Sequence, residues 1–318
     1  MKEKSLVEIN NLFVEYTTNK GILGGKKIIH AVNGVSLDIH KGEILAIAGE
    51  SGCGKSTLAK AILKLEPAKS GEILFNDENI LSFSAKELKN FRKHAQMVFQ
   101  NPYASLNPKM KIIDILKEPL EINTNYSKEK ILNIVKEKLR LVGLDENCLK
   151  LYPHEFSGGQ RQRIAIARAL VLDPEFILAD EPVSALDVSI QAQVINLLKE
   201  LKEKYNLTII LITHDMSVIE YLADRVAIMY LGEIVEIAQT EEIFKNPLHP
   251  YTKALLSSVP QINKTDKKII LKGDLPSPAD PPSGCKFHTR CRYAMDKCKT
   301  CIPKEIGIKH KVKCFIYD

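Results

Sequence analysis

The stretch "GESGCGKST", Gly49 to Thr57, constrains the possible fold more than any other part of the sequence. It fits the pattern G-x-x-x-x-G-K-[ST] and lies between a strand-like apolar segment, "EILAIAG", and a segment with helical spacing, "STLAKAILKL". Glycines in such a loop let backbone N–H groups turn toward phosphate oxygens, and the start of the following helix adds a positive partial charge. The stretch therefore predicts a phosphate-binding loop, or P-loop, in an α/β fold.

The individual residues of this P-loop have distinct expected roles. Lys55 can reach the β- and γ-phosphates of a bound nucleotide, and the Ser56 hydroxyl can bind Mg²⁺. Cys53 is expected to line the nucleotide as a small space-filling residue and not as a reactive thiol. The other residues expected to contact the nucleotide are Gly49, Ser51, Gly52, Gly54 and Thr57.

A second motif, "EFILADEP", is an apolar strand-like segment that ends in two carboxylates. Asp180 would hold the Mg²⁺ shell, and Glu181 would polarise the attacking water. A strand ending in these two residues is common by itself. After a P-loop in an α/β pattern, it predicts hydrolysis of a nucleoside triphosphate.

Strand-like and helix-like segments alternate along the chain, which predicts a parallel sheet covered on both faces. Before the P-loop, "SLVEINNLFVEY" predicts a strand in an antiparallel β edge, and residues 17–30 predict a loop rich in Gly and Lys. Residues 101–170 carry Val, Ile and Leu at helical spacing and predict a helical subdomain. The periodicity is lost after "NPLHPYTKALLSSVP", and a boundary near Asn246 gives the expected domains 1–245 and 246–318.

The composition is that of an ordinary globular protein, with 45% hydrophobic and 26% charged residues. No apolar run reaches the length of a membrane-spanning helix, and "MKEKSLVEIN" lacks the long apolar segment of a secretory signal. These features predict a cytosolic protein.

The segment "FSGGQRQRIAIARAL" makes the prediction more specific, because it resembles the signature motif of ABC-transporter nucleotide-binding domains. A Ser and two Gly at a helix N-terminus form a second anion-binding surface. In this family two domains pack head to tail, and each ATP lies between the P-loop of one domain and the signature of the other. The resemblance implies that ATP with Mg²⁺ also contacts Ser157, Gly158, Gly159 and Gln160.

Four further residues resemble elements of the same family. Gln100 in "MVFQNPY" corresponds to the glutamine that senses Mg²⁺ and water, and Asp187 ends the "SALD" loop that crosses the dimer interface. His214 in "LITHD" resembles the histidine that contacts the γ-phosphate, and Tyr16 is the candidate for stacking on adenine. The implied fold is an ABC-type P-loop NTPase core with an antiparallel β edge, a helical subdomain and a small C-terminal cysteine-rich metal or cluster domain.

The segments "NPYASLNPKM" and "NPLHPYTKALLSSVP" resemble the ATP-binding subunits of dipeptide and oligopeptide importers, a group that includes nickel importers. This implies ATP-driven peptide import by a peripheral subunit on the cytoplasmic face of the membrane. Implied partners are two transmembrane permease subunits, a second and related ATPase in a heterodimer, and indirectly an extracellular substrate-binding protein. The alternatives are a nickel or other small-solute importer, a soluble nucleic-acid-linked ABC ATPase, and a metal-sensing regulatory subunit; nucleic acid is not an expected partner.

Five of the seven cysteines lie in residues 285–318, with the spacing C-x5-C-x6-C-x2-C-x12-C. In a reducing cytosol, clustered thiols point to metal or redox roles and not to disulfides. Zinc sites usually present two close cysteine pairs, and bacterial ferredoxins have two-residue gaps, so neither pattern matches. The same segment has nine Lys/Arg against three Asp/Glu and so accounts for the net charge of +6.

The importer extension has a similar pattern, "GCxFHxRCxYAxxxC" followed by "HxVxC". Some members of this branch bind a [4Fe–4S] cluster at such cysteines, which implies a cluster here, with Zn²⁺ or unmetallated thiols as alternatives. The basic residues would offset the net negative charge of either metal site. The pattern selects Cys285, Cys291, Cys298 and Cys314 as ligands and leaves Cys301 without a role.

Overall fold

The computed structural model describes residues 5–19, 26–258 and 269–318. The chain divides into two compact units, which we name after their contents. The P-loop unit comprises the chain up to His40 together with Ile44–Ser82 and Thr213–Asp318. The helical unit comprises Lys41–Glu43 and Phe83–Ile212.

The P-loop unit contains two groups of strands. The strands are β1 (Ser5–Asn19), β2 (Lys26–His40), β3 (Ile44–Ala48), β4 (Ser70–Phe75), β5 (Glu78–Asn79), β9 (Arg225–Tyr230), β10 (Glu233–Gln239) and β11 (Lys311–Val312). One group is an antiparallel sheet in the order β2-β1-β4-β5, and the other has the order β11-β10-β9-β3, in which β3 and β9 run parallel. The helices are α1 (Lys55–Ile62), α8 (Met216–Leu222), α9 (Thr240–Lys245), α10 (Pro250–Ser257) and α11 (Asp296–Thr300).

The parallel strands of this unit, β3 and β9, are apolar except for Arg225 at the start of β9. Every residue of β3, "ILAIA", is buried, as are all residues of β9 after Arg225. A strand that is covered on both faces needs a continuous apolar run, because each of its side chains meets other protein atoms. One core cluster in this unit includes Tyr230, Tyr251 and Phe287, so the region after residue 246 contributes to the same core as β9.

The helical unit contains three parallel strands and six of the eleven α-helices in the described residues. The strands are β6 (Ala95–Val98), β7 (Phe176–Asp180) and β8 (Thr208–Ile212), and they lie in the order β8-β7-β6. The helices are α2 (Ala85–His94), α3 (Pro102–Ser105), α4 (Ile112–Asn123), α5 (Lys128–Leu141), α6 (Gly158–Leu170) and α7 (Val188–Tyr205). Four of them, α3 to α6, fall within the stretch predicted to be helical, while the domain limits themselves stay predictions.

The prediction of a loop over residues 17–30 is wrong for residues 17–19 and 26–30, which belong to strands. Strand β1 continues to Asn19, and β2 starts at Lys26 with Tyr16 opposite Ile29. The run "KKIIH" pairs as a strand because the antiparallel partner satisfies its backbone groups, despite the Gly and Lys around it. Residues 20–25, also predicted to be loop, lie outside the described residues. None of the helices in the described part of the chain is long and apolar enough to cross a membrane.

Candidate functional site

The P-loop residues follow β3 and lead into α1, as the sequence predicts. Gly49 has φ +152°, and a Cβ atom there would lie 2.2 Å from the Met229 carbonyl oxygen. Gly54 has φ +105°, and a Cβ atom there would lie 2.1 Å from the Ala31 carbonyl oxygen. Both positions therefore require glycine, because the loop passes close to the backbone of neighbouring segments.

Lys55 is the buried cation of this loop, with 5% of the residue exposed. Its Nζ donates hydrogen bonds of 2.8 Å to the backbone carbonyls of Gly49 and Glu50. The Cys53 thiol is also buried, 3.8 Å from the same Nζ, and burial raises its pKa. Cys53 is therefore held as a thiol in the loop interior. Ser51 and Gly52 are exposed, whereas Ser56 and Thr57 are half-buried at the start of α1.

The two predicted carboxylates end strand β7 in the helical unit. Asp180 is buried. The backbone of Glu181 has φ +44°, a conformation that residues other than glycine rarely adopt. The Glu181 N–H donates to the Ile212 carbonyl at 2.8 Å, and Gln100 Nε2 donates to Glu181 Oε2 at 2.7 Å. The structure therefore brings together two predicted site residues that lie 81 positions apart in the sequence. Backbone strain of this kind is characteristic of functional sites.

The signature segment begins α6 with a capping box. The Gln160 N–H donates to Ser157 Oγ at 3.4 Å, and the Ser157 N–H donates to Gln160 Oε1 at 3.0 Å. Gly159 is buried, and a Cβ atom there would lie 2.1 Å from Ile190 Cγ2 of α7. Glycine at this position therefore allows α6 to approach α7 closely, which is a packing role in addition to the predicted nucleotide contact.

The other predicted residues lie at the ends of elements. Asp187 precedes the first residue of α7, and its side chain makes no capping hydrogen bond there. His214 is exposed in the P-loop unit, next to Asp215, which caps α8. Tyr16 is half-buried in β1. The P-loop, Tyr16 and His214 belong to the P-loop unit, and Gln100, Asp180, Glu181, Asp187 and the signature residues belong to the helical unit.

Sequence reasoning missed three residues that meet at the P-loop. The Arg290 guanidinium forms a bidentate ion pair with the Glu50 carboxylate, with N–O distances of 2.7 and 3.0 Å. The Glu50 N–H donates to the Tyr251 hydroxyl at 2.8 Å. Burial opposes the charge of Arg290, but the ion pair with Glu50 outweighs it and raises the pKa of Arg290. The only available signal was an Arg between two of the clustered cysteines, and nothing in the sequence linked it to position 50.

The structure groups four of the five clustered cysteines. Burial is the main cause of the raised pKa values of Cys285, Cys291 and Cys314, and the value for Cys285 is about 11. Charge repulsion among these thiols and Cys298 contributes, so the four thiols lie within electrostatic range of one another. Cys301 is exposed, and its sulfur lies 3.6 Å from the Thr300 hydroxyl.

The four thiols do not form a ready-made metal site. Across residues 5–19, 26–258 and 269–318, no group of three or more His, Cys, Asp or Glu side chains is placed to hold a metal ion. The two nearby histidines have other contacts. His288 Nδ1 lies 3.0 Å from the Cys285 carbonyl, and His310 Nε2 lies 2.7 Å from Glu236 Oε1.

Comparison with known proteins identifies the family. Residues 32–184 match the ABC transporter family, and residues 235–298 match the oligopeptide/dipeptide transporter C-terminal region. The chain is 50% identical to the oligopeptide transport ATP-binding protein AppF of Bacillus subtilis (strain 168), over 99% of this chain and 98% of that protein. The chain belongs to the oligopeptide/dipeptide branch of the ABC-transporter ATPases. This ABC ATPase is also 46% identical to the di/tripeptide transport ATP-binding protein DppF of Pseudomonas aeruginosa (strain UCBPP-PA14), over 95% of this chain and 94% of that one.

A solved structure supports both the fold and the enzymatic class. The ATP-binding cassette MJ0796, in a dimeric post-hydrolysis state bound to ADP and Pi, is 31% identical and superposes with a TM-score of 0.66. The match covers 74% of this ABC ATPase and 98% of that cassette. The P-loop NTPase fold predicted from the sequence is therefore confirmed, and the protein is an ATPase.

Proposed function

We propose that this ABC ATPase hydrolyses ATP to power the import of dipeptides or oligopeptides. The observation that carries the proposal is the match of residues 235–298 to the oligopeptide/dipeptide transporter C-terminal region, which lies outside the ATPase motifs shared by the wider family. The relatives from B. subtilis and P. aeruginosa are an oligopeptide and a di/tripeptide transport ATP-binding protein, which agrees with the proposal. The protein would act at the cytoplasmic face of the membrane as a peripheral subunit.

The described residues suggest how the P-loop would receive ATP. Lys55 donates to the Gly49 and Glu50 carbonyls, and the phosphates of ATP would offer it stronger, charged acceptors. Ser56, Asp180 and Gln100 are the side chains proposed to hold Mg²⁺, which neutralises charge on the phosphates. Glu181 would accept a proton from the attacking water, and its hydrogen bond to Gln100 orients the carboxylate. His214 would contact the γ-phosphate.

The proposed assembly pairs this chain with a second ABC ATPase. Ser157 and the glycines after it would face the ATP held by the partner's P-loop, and Asp187 would lie at the interface. The dimeric state of the similar cassette supports this arrangement. A heterodimer with a related ATPase, bound to two transmembrane permease subunits, is the composition that we propose.

Uptake of labelled peptides tests the transport function. Cells that lack this chain should lose uptake of a labelled dipeptide or oligopeptide, and the wild-type gene should restore it. The Glu181→Gln variant should not restore uptake, whereas Arg292→Ala, a change in an exposed residue of the C-terminal region, should. Normal peptide uptake in the deletion strain together with loss of nickel accumulation would favour the nickel importer instead.

We also propose that Cys285, Cys291, Cys298 and Cys314 hold a [4Fe–4S] cluster, with Zn²⁺ as the alternative. The supporting observation is that the pKa values of Cys285, Cys291 and Cys314 are raised, mainly by burial and in part by neighbouring cysteines of this group, whereas Cys301 is exposed. Iron–sulfur clusters bind thiolates, so loading must deprotonate the four groups and draw them closer than they are in the described structure. Lys and Arg side chains in this region would offset the resulting negative charge.

Metal analysis after anaerobic purification tests this proposal. About four iron and four sulfide per chain, with broad visible absorption, are expected for the wild type. Cys298→Ser should lower the iron content sharply, and Cys301→Ser is the matched control that should not. One zinc per chain without iron would show a zinc site, and the absence of both metals would show that the thiols are unmetallated.

A further inference from the structure

The C-terminal region contacts the P-loop at Glu50. The Glu50 N–H donates to the Tyr251 hydroxyl, and the carboxylate pairs with Arg290, a residue 240 positions further along the chain. The remaining polar group, the Glu50 carbonyl, accepts from Lys55 Nζ at 2.8 Å. Every polar group of Glu50 is therefore fixed, and two of its three partners come from the region after residue 246.

The ion pair is positioned for a strong electrostatic effect. The Arg290 side chain is 8% exposed and the Glu50 side chain 28% exposed, so solvent screens the pair only partly. The bidentate geometry uses both terminal nitrogens of Arg290 and both carboxylate oxygens, an arrangement that Lys cannot reproduce. Glu50 directly follows Gly49, the first residue of the P-loop, so its charge lies beside the phosphate cradle.

The loop that carries Arg290 is anchored in the core of the P-loop unit. Phe287 is 2% exposed. Its ring centroid lies 5.2 Å from that of Tyr230 and 5.5 Å from that of Tyr251. Tyr230 ends β9, and Tyr251 lies in α10. The aromatic cluster therefore holds both the Arg290 loop and the Tyr251 hydroxyl in place relative to Glu50.

We propose that Arg290 is a positioning residue of the nucleotide site, which neutralises the Glu50 carboxylate beside the phosphate cradle and so permits tight ATP binding. Without Arg290, an uncompensated carboxylate would repel the triphosphate. It would also become a competing partner for the Lys55 ammonium, whose position already depends on the Glu50 carbonyl. The C-terminal region thus contributes to nucleotide affinity through the P-loop itself.

The inference rests on the proposed binding of ATP by this P-loop, and one set of titrations tests both. The full-length chain is titrated calorimetrically with the non-hydrolysable analogue AMP-PNP and Mg²⁺. We expect Arg290→Ala to weaken binding of the analogue about three- to tenfold, because one uncompensated negative charge beside the phosphate cradle repels a multiply charged ligand. The Michaelis constant for ATP should rise by a similar factor, while kcat at saturating ATP stays within about twofold, because the lost interaction is made equally in the ground and transition states.

The Glu50→Gln change distinguishes neutralisation from simple packing. If Arg290 acts by neutralising Glu50, the double variant Arg290→Ala/Glu50→Gln should bind the analogue nearly as tightly as the wild type. The loss in Arg290→Ala should also shrink at higher salt, because salt screens the exposed part of the repulsion. Arg290→Lys should recover part of the affinity, since it keeps the charge without the bidentate geometry.

Arg292→Ala is the matched control, because Arg292 lies in the same loop, is exposed and packs over the Tyr293 ring at 4.7 Å. It should bind the analogue like the wild type, and thermal unfolding of each variant shows that it is folded. If Arg290→Ala binds as tightly as Arg292→Ala, the inference is wrong. It is also wrong if the double variant is as weak as Arg290→Ala alone. Failure of the wild type to bind the analogue would instead contradict the proposed ATP binding.

Discussion

Glu181 is the residue whose geometry most favours a direct part in hydrolysis. Its backbone has φ +44°, and its carboxylate accepts a hydrogen bond from Gln100. The strained backbone fixes where the carboxylate points, and the amide of Gln100 fixes its rotation. A carboxylate held in this way is suited to accept a proton from one defined direction.

We predict that Glu181→Gln lowers the ATPase rate by a factor of about 10² to 10⁴, because an amide cannot accept the proton. ATP binding should persist, since the substitution leaves the P-loop unchanged. Glu175→Gln is the control. Glu175 lies just before the same strand, β7, and its carboxylate pairs with Lys41, so this variant should hydrolyse ATP normally. Steady-state phosphate release and ATP titration measure the two quantities. A normal rate in Glu181→Gln would show that another group is the base.

The sequence predicted these residues one by one but not their contacts. The type and order of Lys55, Asp180 and Glu181 follow from local motifs, which short stretches of sequence contain. The hydrogen bond from Gln100 to Glu181 and the ion pair from Arg290 to Glu50 join residues 81 and 240 positions apart. Such contacts depend on how strands and loops are placed in the tertiary structure, so no local pattern indicates them.

The contact between α6 and α7 depends on Gly159 at the element scale. A Cβ atom at Gly159 would lie 2.1 Å from Ile190 Cγ2, whereas one at Gly158 would lie 3.3 Å from the flexible end of Leu186. We predict that Gly159→Ala lowers the free energy of unfolding by about 1 to 3 kcal/mol, because the helices must move apart. Gly158→Ala should have a much smaller effect. Urea unfolding compares the two, and equal effects would mean that α6 can shift without cost.

Helix α10 is capped at its N-terminus by His249, a histidine that is uncharged in the folded protein. His249 Nδ1 accepts the Tyr251 N–H at 3.1 Å, and burial, aided by the charge of Lys253, lowers the pKa of His249 to about 3. In the unfolded chain His249 takes up a proton near its ordinary pKa of 6.5, whereas in the folded chain it stays neutral at that pH. The stability contributed by neutral His249 is therefore fully present above about pH 6.5 and is lost as the pH falls toward 3, by about 1.4 kcal/mol per pH unit.

We predict that His249→Asn is less stable than the wild type at neutral pH but loses less stability on acidification. Asn keeps an acceptor at the helix N-terminus but leaves part of the ring volume empty and does not titrate. The gap between the two proteins, measured by urea unfolding at several values between pH 7 and 5, should narrow as the pH falls. A gap that stays constant would show that His249 is protonated in the folded state.

Element types were predicted better than element lengths. The apolar runs of β3, β7 and β8 indicate buried strands directly, because each is covered on both faces. The long pair β1 and β2 was underestimated, since Gly and Lys near residue 26 resemble a loop when the sequence is considered alone. Pairing between the strands satisfies their backbone groups, and this gain is invisible in either segment by itself.

At the scale of the whole molecule, the cysteine-bearing region is part of the P-loop unit and not a separate body. Strand β11 pairs with β10, the Lys313 N–H donates to the Val235 carbonyl at 2.9 Å, and His310 bonds the buried Glu236 carboxylate. The sequence suggested an appended segment, because its Pro, Gly and Lys content hides the few apolar residues that enter the core. Phe287 is the largest of these.

Phe287 therefore provides a test of this integration. Its ring contacts those of Tyr230 and Tyr251, so Phe287→Ala should lower the free energy of unfolding of the P-loop unit by about 3 to 5 kcal/mol. Tyr293→Ala is the matched control, because Tyr293 is an aromatic residue six positions away with 45% of its surface exposed, and it should cost less than about 1 kcal/mol. Guanidinium unfolding of the full-length chain measures both. If the region were an independent appendage, neither substitution would change the unfolding of the P-loop unit. A large loss of stability in Phe287→Ala alone means that the phosphate cradle and the cysteine-bearing loop share one core. A destabilising change in either would then also destabilise the other.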